Sequence, residues 1–359
     1  MPIHDVGYRP WEQARHSSMA RWAVITAAGM RLVWKNHWLR RMLILAWLPA
    51  AALGLAVFVY EQSFEHRELQ QEMPFLLSLL SESDRAIATW ALATTGSDEV
   101  LWRVVEDVSL MQASRNQDRE QAEIKQTLIE ILQDQKIEPG SQAAQGVARH
   151  HVWSLLLLTF FRYPQAVLMV LLVGMIAPPL ISQDFRSRAF LLYFSRPITP
   201  LEYVWGKAIV IWGYLAAVTT LPALVMYVTG VLLSPSISVV LDTWDIPLRV
   251  LAASGVLLIP TTSLALFFSS LTTESRYAGF AWFAVWGLGW AAYANLEALD
   301  LGRRWSIVSL YHVLGHVQAW VFGLSTDLNA VTSSATLLLV VTIQPLIVLL
   351  ARVAAPIRV

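Results

Sequence analysis

The amino-acid sequence predicts an all-α, polytopic membrane protein with six transmembrane helices. Hydrophobic residues make up 56% of the 359 residues and charged residues only 14%, a balance that soluble domains of this size rarely show. The mean hydropathy is positive, at +0.50. The apolar residues are grouped into six runs, each close to the roughly 20 residues that a helix needs to cross a bilayer. An N-terminal interfacial connecting helix and a helical extracytoplasmic insertion complete the predicted architecture.

The predicted spans divide the chain into regions of different character. They cover residues 42–60, 163–182, 208–233, 250–271, 277–296 and 331–351. Residues 1–41 form the predicted cytoplasmic N-terminus, and residues 61–150 an extracytoplasmic α-helical domain. Residues 151–359 contain spans two to six and a cytoplasmic segment at 183–206. The apolar residues 152–161 lengthen the second region beyond one span, so we expect them to form an interfacial or tilted lead-in with Arg162 near the outer headgroups.

Basic residues predict the orientation, because Lys and Arg are concentrated in cytoplasmic loops. Seven of them precede the first span and four lie between spans two and three. Both termini are therefore predicted to be cytoplasmic, with the chain in the inner (plasma) membrane. Arg303 and Arg304 depart from this rule, which weighs later loops less than the N-terminus. The first span has no small-residue cleavage site behind it, which predicts a retained anchor and not a signal peptide.

Residues 17–36 are predicted to form a helix on the inner membrane surface. An apolar face that includes Trp22 is set against a basic cluster formed by Arg21, Arg31 and Lys35, a pattern typical of interfacial helices. Two interpretations stay open at this point: a connecting helix that braces the membrane helices, and a plain positive-inside anchor.

The insertion at residues 61–150 differs from the rest of the chain in charge. It carries 16 acidic and 8 basic residues, whereas the remainder carries 10 acidic and 18 basic residues. Helical spacing near residues 124–132 and an N-cap pattern at Ser97 predict an α-helical domain. Because the basic residues flank the spans and the acidic block is set apart, the charge pattern argues against nucleic acid as a partner.

The segment at 183–206 is the most informative part of the sequence, because it places charged residues between two long apolar runs. Thr199-Pro200-Leu201-Glu202 has the pattern of a capping box with proline in the first helical position, so a helix is predicted to begin there. We expect a first helix at residues 184–194, a break at 195–198, and a Lys207 side chain that reaches the headgroups. The candidate functional residues are Asp184, Phe185, Arg186, Arg188, Arg196, Pro197, Glu202 and Lys207.

This order of features resembles the coupling segment of the type 2 ABC exporter permeases: an acid after the second span, a helical stretch, a proline turn, and the pair Gly206-Lys207. The other possibility is an ordinary cytoplasmic loop. The resemblance implies that the segment docks on a separate ATPase subunit. It also implies that the chain pairs with a second copy or a similar permease, in contact with membrane lipids. The sequence has no GxxxxGK[ST] phosphate loop, so ATP and Mg²⁺ are expected to bind to the partner ATPase and this chain to carry no cofactor and no enzymatic activity.

The predicted function is thus outward movement of a lipid-like or amphipathic substrate, since the spans offer apolar walls. Spans three to six contain no Asp, Glu, Lys, Arg or His, which argues against ion-coupled transport and intramembrane catalysis. The alternative is a mechanotransmission or assembly component that acts on an extracytoplasmic partner through residues 61–150.

His312 and His316 could suggest a metal site, but no third ligand lies at a fixed spacing. Their stripe, opposite an apolar one, predicts a helix at the outer interface with the histidines facing headgroups or water. No metal is expected. The sequence contains no cysteine, so disulfides and thiolate ligands are excluded.

Overall fold

The computed structural model describes residues 20–64, 84–95, 129, 137–189, 198–234, 238–299, 305–325 and 327–354. All the regular elements in these ranges are helices. In chain order they are α1 (Ala20–Trp34), α2 (His37–Leu45), α3 (Trp47–Gln62), α4 (Asp84–Thr94), α5 (Gln142–Arg162), α6 (Pro164–Arg186), α7 (Pro200–Val218), α8 (Thr220–Leu233), α9 (Ser238–Asp242), α10 (Ile246–Leu271), α11 (Ser275–Ala298), a 3₁₀ turn (Ser306–Val308), α12 (Leu310–Val321) and α13 (Leu328–Ala354).

Five helical regions of the described chain are long and apolar enough to cross a membrane. They are His37–Gln62, Gln142–Arg186, Pro200–Leu233, Ile246–Leu271 and Leu328–Ala354, and each contains one of the predicted spans. The remaining predicted span, 277–296, lies in α11, a 24-residue helix rich in Trp, Tyr and Gly, which are less apolar than the aliphatic residues of the other five. The prediction of an all-α polytopic membrane protein is confirmed.

The second of these regions differs in detail from the prediction. Residues 152–161 belong to α5, which runs without interruption to Arg162, and the chain breaks at Tyr163 because Pro164 begins α6. The Arg162 side chain donates to the Tyr311 carbonyl at 2.5 Å and lies over the Tyr311 ring, because α12 folds back against this end of α5. Its position near the outer headgroups stays a prediction.

Two apolar clusters form the core. The larger one joins α6, α7, α10, α12 and α13, and the inner side of α1 packs against it. The smaller one joins α3, α5 and α8 with the start of α10. The described part of the insertion contributes α4 to this smaller cluster, where Ala86, Trp90 and Leu92 are buried. The Gly140 N–H donates to the Leu92 carbonyl at 2.9 Å, which fixes the end of α4 to the start of α5. The helix start predicted at Ser97 lies outside the described residues.

The histidines of α12 are half-buried, and each contacts a neighbouring helix. That they also face headgroups or water stays a prediction. The ring of His312 stacks on Tyr293 of α11 with centroids 3.6 Å apart, and His316 Nδ1 lies 3.1 Å from Ser334 Oγ of α13. Burial, followed by the charge of Arg162, lowers the pKa of His312 to about 4 and also lowers the pKa of His316. In the described part of the chain, no three His, Asp or Glu side chains are grouped as metal ligands would be.

Candidate functional site

The start of α7 forms as its sequence predicts. The Thr199 hydroxyl accepts from the Glu202 backbone N–H at 3.2 Å, and the Glu202 carboxylate accepts from the Thr199 backbone N–H at 2.8 Å. This reciprocal pair is a complete capping box with Pro200 in the first turn, and it satisfies two backbone donors that the helix itself leaves unpaired. The capping box is confirmed, and one carboxylate oxygen of Glu202 is thereby engaged within the segment.

A buried ion pair joins the two ends of the 183–206 segment. Lys207 Nζ lies 2.7 Å from Asp184 Oδ2, and the two side chains are only 8% and 16% exposed. The Tyr203 hydroxyl donates to the same carboxylate oxygen at 2.6 Å. The prediction that Lys207 reaches the headgroups is wrong, because the end of α6 places a carboxylate beside it and a buried ammonium group is stabilised by a charged partner. The pair fixes the end of α6 to the start of α7.

The first half of the segment also differs from its predicted form. The α6 helix continues from the membrane through Asp184 and Phe185 to Arg186, so these residues end a spanning helix and do not begin a separate one. Ser187 caps this helix, with its hydroxyl donating to the Gln183 carbonyl. Arg188 then adopts φ 52°, a left-handed conformation that turns the chain sharply. Residues 190–197, which include Arg196 and Pro197, lie outside the described residues.

The surface beside the buried pair is basic. Arg186 and Arg188 are exposed, and Arg186 forms an exposed ion pair with Glu274 at 3.4 Å. Glu274 belongs to the short turn between α10 and α11. Phe185 is half-buried and packs against the larger apolar cluster. Arg186 and Arg188 are therefore exposed on this surface, while Phe185 and the ion-paired Asp184 pack against the helices.

Helix α1 packs along α7 next to the same site. The Thr26 hydroxyl donates to the Gly206 carbonyl at 3.0 Å, and a Cβ on Gly206 would lie 3.1 Å from both Ile25 and the Trp22 carbonyl. Glycine at position 206 thus permits the close contact of the two helices. Arg31 and Lys35 are exposed on the outer side of this region. Arg21 lies within α1, and the orientation of its side chain is outside the described structure.

A second polar cluster was not predicted from the sequence. Glu61, at the end of α3, is fully buried and pairs with Arg149 of α5 at 3.2 Å. Arg149 also pairs with Asp242 at 3.2 Å, and the Trp153 indole donates to Glu61 at 2.9 Å. A signal was present: Glu61 and Arg149 are opposite charges at the predicted outer ends of neighbouring apolar runs.

An adjoining ion pair continues this cluster towards α10. Asp245 lies 2.6 Å from Arg249 and 3.1 Å from His150. Burial would raise the pKa of Asp245, but the hydrogen bonds from His150 and Arg249 outweigh it and the pKa is lowered. The carboxylate therefore stays ionised and holds α5 to the start of α10.

Comparison with known proteins assigns the chain to a family. A family model described as ABC-2 family transporter protein matches residues 39–296, which is more than half of the chain and includes both ends of the 183–206 segment. No curated protein matches the chain significantly. No solved structure does so either. The family match, the apolar helices and the all-helical fold agree with one another, and the chain belongs to the ABC-2 transporter family as a multi-pass membrane permease subunit.

Proposed function

We propose that the chain is the transmembrane permease of an ABC exporter, which couples ATP hydrolysis by a separate ATPase subunit to outward movement of a lipid-like or amphipathic substrate. The observation that carries the proposal is the buried Asp184–Lys207 pair. It ties together the two helices that a partner bound to the 183–206 segment would push, and it lies next to exposed arginines that such a partner can recognise.

In this proposal a push on the segment reaches both of the helices that flank it. A displacement of the arginine-bearing turn moves the end of α6 and, through Lys207, the start of α7. Helix α1 follows because it is bonded to Gly206, the neighbour of Lys207. The connecting helix thus acts as a brace. ATP and Mg²⁺ bind to the partner ATPase, this chain is not an enzyme, and two copies or two similar permeases form the path. Both termini lie in the cytoplasm and the protein resides in the inner membrane.

An apolar groove supports the substrate class. It lies between α3 and α8, has a volume of about 510 Å³, and is lined by side chains such as Trp47, Phe58 and Met226. A groove with these walls favours acyl chains over sugars or charged peptides, because a polar or charged group buried there without a hydrogen-bond partner is destabilised. The cargo is therefore a molecule with a long apolar part.

A specific observation also favours the second candidate function, force transmission to an extracytoplasmic partner. Helix α4 of the insertion packs on α5, and α5 leads directly into α6, whose far end carries Asp184. The two helices together span 45 residues. This arrangement gives a partner bound to residues 61–150 a continuous connection to the proposed ATPase contact.

The test of the proposed function is reversal of charge at the exposed arginines. The double variant Arg186→Glu/Arg188→Glu should insert normally but lose co-purification with the ATPase and stimulation of its activity, because like charges at a docked surface cost several kcal/mol. Glu274→Gln is the matched control, since it removes the Arg186 ion pair and keeps both arginines. A double variant that binds and stimulates as wild type does would contradict the proposal.

Reconstitution then separates the two candidate functions. If the chain is an exporter, proteoliposomes that contain it and the ATPase will move a fluorescent lipid in an ATP-dependent manner without any further protein. If it transmits force, the same proteoliposomes will hydrolyse ATP without lipid movement, and removal of the acidic insertion will abolish the cellular phenotype while hydrolysis persists.

A further inference from the structure

A second groove lies where the end of α1 meets α7. It has a volume of about 580 Å³ and is bordered by the end of α1, the last turns of α7 and a side chain of α2. Its lining consists of Met30, Arg31, Trp34, Lys35, Leu43, Gly213, Tyr214 and Ala217. Six of these eight residues are uncharged and two are basic, so the groove has an apolar floor and a cationic mouth.

The floor is suited to an acyl chain. The rings of Trp34 and Tyr214 lie nearly parallel, with centroids 6.5 Å apart, and form a flat aromatic wall. The Tyr214 hydroxyl donates to the Met30 carbonyl at 3.1 Å, so its polar atom is bonded within the protein. Gly213 lets the end of the Met30 side chain lie directly against α7, since a Cβ there would be only 2.5 Å from the Met30 methyl group.

The mouth of the groove carries two positive charges. Arg31 and Lys35 are four residues apart and exposed, and among the described residues neither forms an ion pair. The surrounding sequence does not supply an acid either, because residues 13–60 contain six Lys or Arg and no Asp or Glu. Two cations beside an apolar groove match the two parts of an anionic phospholipid.

We propose that this groove binds one anionic phospholipid. The phosphate lies between Arg31 and Lys35, and one acyl chain lies along the wall formed by Trp34 and Tyr214. A zwitterionic phospholipid fits the same floor but lacks the net negative charge that the two bases select. The bound lipid would fill the gap between the connecting helix and α7, and so would reinforce their contact. This proposal concerns lipid selectivity and does not depend on docking of an ATPase or on transport.

The test uses the full-length protein in neutral detergent. Phosphatidylglycerol and phosphatidylcholine with identical acyl chains are titrated, and bound lipid is counted by native mass spectrometry. Each base near an anionic lipid contributes about fivefold in affinity, so Arg31→Gln/Lys35→Gln should lower the affinity for phosphatidylglycerol about thirtyfold and leave phosphatidylcholine unchanged. Inorganic phosphate is the third ligand, and it should bind far more weakly because it lacks the acyl chain.

Two further variants keep the result interpretable. Arg40→Gln/Arg41→Gln removes the same charge from the neighbouring helix but not from the groove, and it should lower the affinity less than threefold. Ala217→Trp fills the groove without changing the charge, and it should abolish retention of the lipid while the melting temperature in detergent stays that of a folded protein. An equal loss of affinity in Arg31→Gln/Lys35→Gln and in Arg40→Gln/Arg41→Gln would show that general surface charge explains the binding, and it would overturn the site. Unchanged binding by folded Ala217→Trp, or binding of inorganic phosphate alone, would overturn the acyl groove.

Discussion

Removal of one member of the buried ion pair should destabilise the protein far more than removal of an exposed pair on the same face. Lys207→Met leaves the Asp184 carboxylate, whose side chain is 16% exposed, with the Tyr203 hydroxyl as its polar partner among the described residues. Breaking a buried pair in this way typically costs 3–5 kcal/mol. Because Asp184 keeps some contact with solvent and one hydrogen bond, we expect a loss of about 3 kcal/mol in the free energy of unfolding.

The exposed pair between Arg186 and Glu274 supplies the comparison. Its side chains are 66% and 38% exposed, and a pair in such a position contributes about 0–1 kcal/mol. Glu274→Gln should therefore change the stability by less than about 1 kcal/mol. Lys207→Met and Glu274→Gln both keep the size of the side chain and lie at neighbouring helix ends. The difference between their losses in the free energy of unfolding therefore measures the effect of burial.

A double-mutant cycle makes the prediction quantitative. The free energy of unfolding is measured by reversible denaturation in mixed micelles for Asp184→Asn, Lys207→Met and the combined variant. The combined variant should recover much of the loss, because neither charge is then left unpaired, and the coupling energy should be about 2–3 kcal/mol. If Lys207→Met costs no more than Glu274→Gln, or if the two single losses simply add, the pair does not join α6 to α7 and the transmission argument fails.

Two more predictions follow from the helix contacts. Gly206→Val should loosen α1 from α7, because a Cβ at this position lies only 3.1 Å from Ile25, and the N-terminal region should then be cleaved faster by a protease. Gly255→Val is the control and should leave the cleavage rate unchanged, since a Cβ there meets nothing within 4 Å. Equal cleavage rates in the two variants would contradict the close contact of α1 and α7. Burial and Arg162 lower the pKa of His312 to about 4, below its value of about 6.5 in the unfolded chain. Folding thus favours the neutral form of His312, so the stability that this group contributes is complete above pH 6.5 and is lost as the pH falls towards 4. His312→Phe should make the free energy of unfolding less dependent on pH between these values. An unchanged slope would assign the pH dependence to other groups.

Local sequence signals predicted local structure well. The capping box at Thr199 and Glu202 needs only four consecutive residues, and the structure forms both of its hydrogen bonds. The five apolar regions likewise follow from composition over about 20 residues, because a lipid environment requires a continuous apolar helix. In both cases the information lies within the element itself.

Contacts between distant residues could not be predicted in the same way. The position of Lys207 near the start of a helix allows its side chain either to reach the headgroups or to pair within the protein. The proximity of Asp184, which is 23 residues away in sequence, decides between the two. The periodicity of α12 placed His312 on a polar stripe, but it did not reveal that Tyr293 of another helix covers that stripe. The pair formed by Glu61 and Arg149 joins residues 88 positions apart, beyond the reach of any periodic pattern.

The position of these distant contacts bears on how the molecule responds to force. Lys207 is paired with α6, and its neighbour Gly206 is bonded to α1, so two adjacent residues of α7 hold three helices together. If the basic turn is displaced as proposed, we expect α1, α6 and α7 to move as one unit, because their separation exposes a buried charge or breaks a partly buried hydrogen bond. In the proposed function we therefore expect movement at the borders of this unit. The long helices break at Tyr163, beside Pro164, and at Thr219, after Val218, and these are the points at which we expect the rest of each span to change direction.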